Sequence, residues 1–91
     1  MKKCIQITVT GKVQGVFYRK FAIAKALESG ITGFVKNQAD GSVYIEACAA
    51  DDVLSLFVDW CYTGSPDAEV ANVEVTVMDM NSGFPSFTEQ E

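Results

Sequence analysis

Two residues carry the chemistry this chain has to offer. Arg19 closes the run Gly11-Lys12-Val13-Gln14-Gly15-Val16-Phe17-Tyr18-Arg19, and Asn37 lies in Gly33-Phe34-Val35-Lys36-Asn37-Gln38. A guanidinium is permanently charged and presents its donors as a rigid fork, a shape that suits phosphate and other oxyanions. The loop before Arg19 can turn several backbone N–H groups toward the same point, and Gly15, lacking a Cβ, lets a ligand approach the backbone closely. An arginine early in a helix is ordinarily a solvated surface residue. A cation near a helix N-terminus, however, opposes the macrodipole unless an anion sits between them. The run therefore reads as an oxyanion or phosphate cradle. It is neither a Gly-x-x-x-x-Gly-Lys-Ser/Thr nucleotide loop nor a Gly-x-Gly-x-x-Gly dinucleotide fingerprint.

Asn37 by itself reads as a turn residue, because Asn shortly before Asp-Gly commonly begins turns. A right-handed crossover would set the first two strands parallel and bring their ends to one edge of the sheet, where Arg19 and Asn37 converge. A neutral amide can orient a water molecule while arginine and backbone N–H groups neutralise charge on phosphoryl oxygens. That pairing suits a reaction whose leaving group is already good. A carboxylic-phosphoric mixed anhydride meets the condition, since carboxylate departs without strong acid assistance.

What the chain lacks narrows the chemistry further. It has no His, which removes the commonest general base and every Ser-His or Cys-His nucleophile pair. Cys4, Cys48 and Cys61 are too few and too scattered for a disulfide scaffold, and without a Cys-x-x-Cys pair or His no protein metal centre is expected. No cofactor is called for. The net charge is −5, yet all seven basic residues precede Asn37 and eleven of the twelve acids follow it. An acidic total opposes a general nucleic-acid footprint, and an RNP-like aromatic pattern for RNA is missing. A small anion bound near the N-terminal half stays open, as does a fold that interleaves the two halves. No apolar stretch approaches bilayer length, and Met1-Lys2-Lys3 leads into strand-like alternation rather than a signal-peptide apolar region, so a cytoplasmic protein without membrane contact is expected.

The elements that must position these residues follow from periodicity. Ninety-one residues with 48% apolar content fit one domain, 1–91. Residues 4–10 alternate as a strand with one buried face. From Tyr18 to Ser29 an Ala-, Lys- and Leu-rich stretch without Pro or Gly predicts a helix stopped by Gly30, its apolar residues spread nearly all round. Ile31 to Gln38 and Ser42 to Ala47 read as antiparallel strands turning at Ala39-Asp40-Gly41. Asp51-Asp52 opens a second helix with a stripe of Val53, Leu54, Leu56, Phe57, Trp60 and Cys61, ending before Gly64. Val70 to Met80 alternates again with Val73, Val75 and Val77 on one face, and the tail from Gly83-Phe84-Pro85 can add an edge strand. The order β-α-β-β-α-β is a split βαβ arrangement with both helices able to cover one face of an antiparallel sheet.

The segment Gly11 to Arg19, together with Gly33-Phe34-Val35-Lys36-Asn37 and Asp40-Gly41-Ser42-Val43, closely resembles the acylphosphatase family, and the similarity covers almost the whole chain. The resemblance implies an α+β, ferredoxin-like βαββαβ sandwich that hydrolyses acyl phosphates to carboxylate and inorganic phosphate without a metal or a covalent phosphoenzyme. It implies that Arg19 binds the phosphoryl group with the backbone N–H groups of Gln14, Gly15, Val16, Phe17, Tyr18 and Arg19, and that Asn37 positions the attacking water. The partner implied is a small-molecule acyl phosphate, and the chain is expected to be a monomer. The alternative is a non-catalytic module that keeps the cradle and binds a small anion or phosphate. The chain departs from the family at Ser29, where a leucine commonly precedes the helix-ending glycine, and in the polar tail after Gly83-Phe84. In the implied fold Cys4 and Cys48 lie on neighbouring antiparallel strands, which makes a disulfide conceivable, while a reducing cytosol predicts two free thiols.

Overall fold

The alternating stretch around residues 4–10 forms the second strand of a sheet and is held on both sides, which extends it beyond its apolar positions. The computed structural model describes residues 2–78 and 86–90. In chain order the elements are β1 (Lys2–Lys12), α1 (Tyr18–Glu28), β2 (Thr32–Asn37), β3 (Val43–Ala50), α2 (Asp51–Thr63), β4 (Glu69–Met78) and β5 (Phe87–Gln90). The expected β-α-β-β-α-β order is present, and β5 supplies the edge strand. The end of the fourth strand expected at Met80 and the Gly83-Phe84-Pro85 segment fall outside the described residues.

The strands lie side by side as β4-β1-β3-β2-β5. β1 pairs antiparallel with both β3 and β4, and β2 with β3, as expected. β5 instead pairs parallel with β2, so the sheet is mixed and not antiparallel throughout. Chain direction explains the difference. β4 runs opposite to β1 and finishes at the end of the sheet where β1 and β2 begin, so a strand starting there on the far edge must run alongside β2. The result is a ferredoxin-like α+β fold.

α1 closes as expected. The N–H of Ile31 donates to the carbonyl of Ala26 at 2.9 Å and that of Gly30 to Leu27 at 3.2 Å, which satisfies carbonyls left over at the helix end. Its buried stripe, unresolved by periodicity, is Tyr18, Ala22 and Ala26. α2 buries Leu54, Phe57 and Cys61, while Leu56, expected in that stripe, faces solvent. α1 lies against β2 and β5, and α2 against β3, β4 and β1. The helices meet where the Tyr18 and Trp60 rings stand 5.3 Å apart and the Tyr18 hydroxyl donates to the Cys61 carbonyl at 2.8 Å. Ile5, Ile7 and Val9 of β1 and Val43 and Ile45 of β3 complete the core beneath them. Each such side chain contributes about 1.5–3 kcal/mol by leaving water. Of the β4 valines only Val73 is buried; Val75 and Val77 are exposed along the sheet edge.

Gly33 shows how tightly the strands are laid. Its φ is 140°, and a Cβ there would stand 1.8 Å from the carbonyl oxygen of Glu46. Cys4 and Cys48 face each other across β1 and β3 with Cα atoms 4.0 Å apart and form a disulfide, not the pair of free thiols that compartment alone predicted. Strand register, which composition does not carry, brings them together. Cys61 is free and buried. The basic and acidic halves interleave at least where Lys3 pairs with Asp51 at 3.2 Å and Arg19 with Glu89.

Candidate active site

β1 and β2 both run antiparallel to β3 between them, so their C-terminal ends share one rim of the sheet, and β5, parallel to β2, ends there too. A cleft of about 350 Å³ opens at this rim, lined by Gln14, Gly15, Phe17, Tyr18, Arg19 and Asn37. The expected convergence of Arg19 and Asn37 is thus present. Val16, alone of residues 14–19, is not on the cleft wall: its side chain is buried in the core and its carbonyl accepts a hydrogen bond from Ser65 Oγ at 2.7 Å. It pins the loop from beneath.

The loop conformation makes the cradle. Gly15 has φ 77° and open space where a Cβ would be, and Phe17, the N-cap of α1, has φ 63° and ψ 22°. Left-handed residues of this kind turn successive N–H groups into an anion-binding concavity. α1 begins with no side-chain cap and no acid in its first turn, and carries Arg19 and Lys20 there instead. Uncapped N–H groups and two cations make a positive end that no acid of the helix's own first turn offsets.

Gln14 fastens this loop to its neighbour. Its side-chain amide donates to the carbonyl of Gln38 at 2.8 Å and to that of Ser42 at 2.9 Å, so it reaches across to the turn that follows Asn37. Within that turn, Asp40 Oδ1 accepts from the N–H of Ser42 at 2.9 Å and from its hydroxyl at 2.6 Å. These bonds hold the Asp40 carboxyl below the usual carboxylate range, because they favour its charged form. Gln38 Nε2 donates to Ser42 Oγ at 2.8 Å, completing a network that ties both sides of the cleft together.

Three residues of the wall were not among those expected from the sequence. Val13 and Lys20 line the cleft, and Glu89 of β5 does so while pairing with Arg19 Nη1 at 2.5 Å. Lys20 was legible as a helix-start cation beside Arg19, whereas Glu89 reaches the site only because β5 is parallel to β2. Asn37 Oδ1 is buried and has no hydrogen-bond partner among the described residues. A buried acceptor left unpaired costs about 1–3 kcal/mol, which is tolerated where function uses it.

Other reactive groups are committed elsewhere. Burial pushes the Cys61 thiol up to about 12, so it stays protonated at neutral pH. Burial, followed by the neighbouring Cys61, also raises Tyr18, whose hydroxyl is occupied by the Cys61 carbonyl. No group of three potential ligands among the described residues could hold a metal ion.

Residues 5–89 match the acylphosphatase family model. The chain belongs to the acylphosphatase family. An acylphosphatase of Shewanella amazonensis is 49% identical over 71 residues, covering 78% of each chain. The solved structure of an acylphosphatase from Coxiella burnetii superposes with a TM-score of 0.93 at 37% identity, over 98% of this chain and 93% of that one. The crystal structure of acylphosphatase from Bacillus subtilis gives 0.94 at 34% identity, over the full length of both. As a member of this family the protein is a hydrolase of acyl phosphates. Among the described residues no helix is long and apolar enough to cross a membrane.

Proposed function

We propose that Arg19 and the backbone N–H groups of residues 14–19 bind the phosphoryl group of a small acyl phosphate, and that Asn37 positions the water that attacks it. The observation that carries this reading is the convergence of Arg19 and Asn37 on one cleft at the uncapped, basic start of α1. The phosphoryl oxygens take the guanidinium from Glu89. The attacking water is held by the side-chain amide of Asn37 with a lone pair aimed at phosphorus. As the new P–O bond forms, the bond to the acyl oxygen breaks and the electron pair leaves with carboxylate. The water proton ends on inorganic phosphate or solvent. Geometry and charge neutralisation supply the acceleration, without a metal and without a phosphoenzyme. We place this activity in a cytoplasmic monomer whose Cys4 and Cys48, each 1% exposed, are shielded from reductants.

The test is steady-state hydrolysis of benzoyl phosphate in excess chelator. Arg19→Ala should lower turnover by on the order of 10²–10³ or more, the scale of losing an oriented oxyanion donor, and Asn37→Ala comparably. Full activity in Arg19→Ala would overturn the assignment.

A further inference from the structure

Resting on the reading of this cleft as the phosphoryl site, we propose that the Phe17 ring forms its acyl side and biases the enzyme toward acyl phosphates whose acyl group is aromatic or flat and apolar. The ring is 67% exposed, so folding gains little from it. Exposure alone is ordinary; Leu56 is 68% exposed and lines no site. Phe17 differs in its backbone, which at φ 63° and ψ 22° occupies the left-handed region. That conformation costs a residue with a Cβ about 1–2 kcal/mol and is rare for bulky side chains.

The cradle explains the backbone, because a left-handed residue is needed to turn the N–H groups inward. It does not explain the ring, since glycine would give the same turn without strain and without apolar surface in water. Phe17 also provides no side-chain cap for α1. What the ring does have is position. Phe17 lines the same cleft as Arg19, two residues away, and Nζ of Lys20, another lining residue, stands 6.0 Å from the ring centroid, a weak cation–π contact that steadies the ring beside the cleft. The cleft volume of about 350 Å³ is roughly tenfold the 30 Å³ share of one water, more than a five-atom phosphate fills. The remaining space beside the ring is where the acyl group lies.

The experiment compares kcat/KM for benzoyl phosphate and acetyl phosphate in the wild-type protein, Phe17→Gly and Phe17→Tyr. An aromatic contact predicts that the benzoyl-to-acetyl ratio falls about threefold to tenfold in Phe17→Gly. In Phe17→Tyr, which restores the ring, the ratio should stay near that of the wild type, a rescue that a purely backbone role would not produce. Phe17→Gly relieves the left-handed strain and is expected to fold. An unchanged ratio in Phe17→Gly overturns the proposal while leaving the phosphoryl site intact. Hydrolysis of neither substrate by the wild-type protein overturns the underlying reading, and this one with it.

Discussion

The two helices of this protein begin in opposite ways. α2 starts at Ala50 with extended backbone, carries Asp51 and Asp52 in its first turn, and has Asp52 Oδ1 accepting from the N–H of Val53 at 2.9 Å. That is how a helix start is stabilised, with negative charge at the positive end of the dipole and acceptors for orphan N–H groups. α1 starts at a left-handed phenylalanine, has no acid and no side-chain cap, and carries Arg19 and Lys20. Neither N-cap residue supplies a side-chain hydrogen bond, but the first-turn charge and the N-cap backbone that steady α2 are both reversed in α1. Both helices pack against the same sheet, so the reversal is confined to the end of α1 that borders the cleft. A start that opposes helix stability marks the place where an anion is expected to supply the missing charge and acceptors.

The contrast can be broken most severely at the anchor of the cradle. Gln14→Ala removes two hydrogen bonds between the loop and the Gln38–Ser42 turn. We expect about 1–3 kcal/mol lower stability, read by denaturant unfolding. Turnover should fall more than KM rises, because Asn37 is displaced relative to Arg19, and Gln14→Glu, which lacks the donors, should not restore it. A smaller effect of opposite sign is expected from Glu89→Gln. Its pair with Arg19 is partly exposed and worth up to about 1 kcal/mol, so releasing the guanidinium should tighten inorganic phosphate binding by up to about fivefold in calorimetry.

How much of this was legible in the sequence depends on which interactions set each feature. The helix stop at Gly30, the turn at Asp40-Gly41 and the alternation of β1 are local, and periodicity with turn chemistry located them. The convergence of Arg19 and Asn37 followed from the handedness of one crossover. Glu89 was not legible as a site residue, because its arrival depends on β5 adding in parallel across the whole sheet. The Cys4–Cys48 bond depends on strand register, and arguments from compartment are blind to register. Gln14 was expected through its backbone N–H, yet its side chain does the fastening, which only the position of the neighbouring turn reveals.

Exchanging the helix-start charges sharpens the comparison with smaller effects. Lys20→Glu gives α1 the acid it lacks and should raise stability by about 0.3–1 kcal/mol while weakening phosphate binding. Asp51→Lys should lower stability by a similar amount, part of it through loss of the Lys3 pair, and leave turnover unchanged. The smallest effect concerns acid. Asp40 has its carboxyl depressed in the folded state, so its contribution is present above the unfolded value near 3.8 and is lost as pH falls through the lower folded value. Amide exchange at Ser42 should therefore accelerate below about pH 4, and Asp40→Asn should flatten that dependence.

The central claim is that the basic start of α1 is an anion site completed by Arg19. Thermal unfolding against increasing inorganic phosphate, in chelator and at constant ionic strength, tests it most directly, since a ligand that binds only the folded state stabilises by RT ln(1 + [L]/Kd). The account predicts a midpoint that climbs with phosphate in the wild-type protein and stays flat in Arg19→Ala. Equal climbs in both proteins, or none in the wild type, would contradict it.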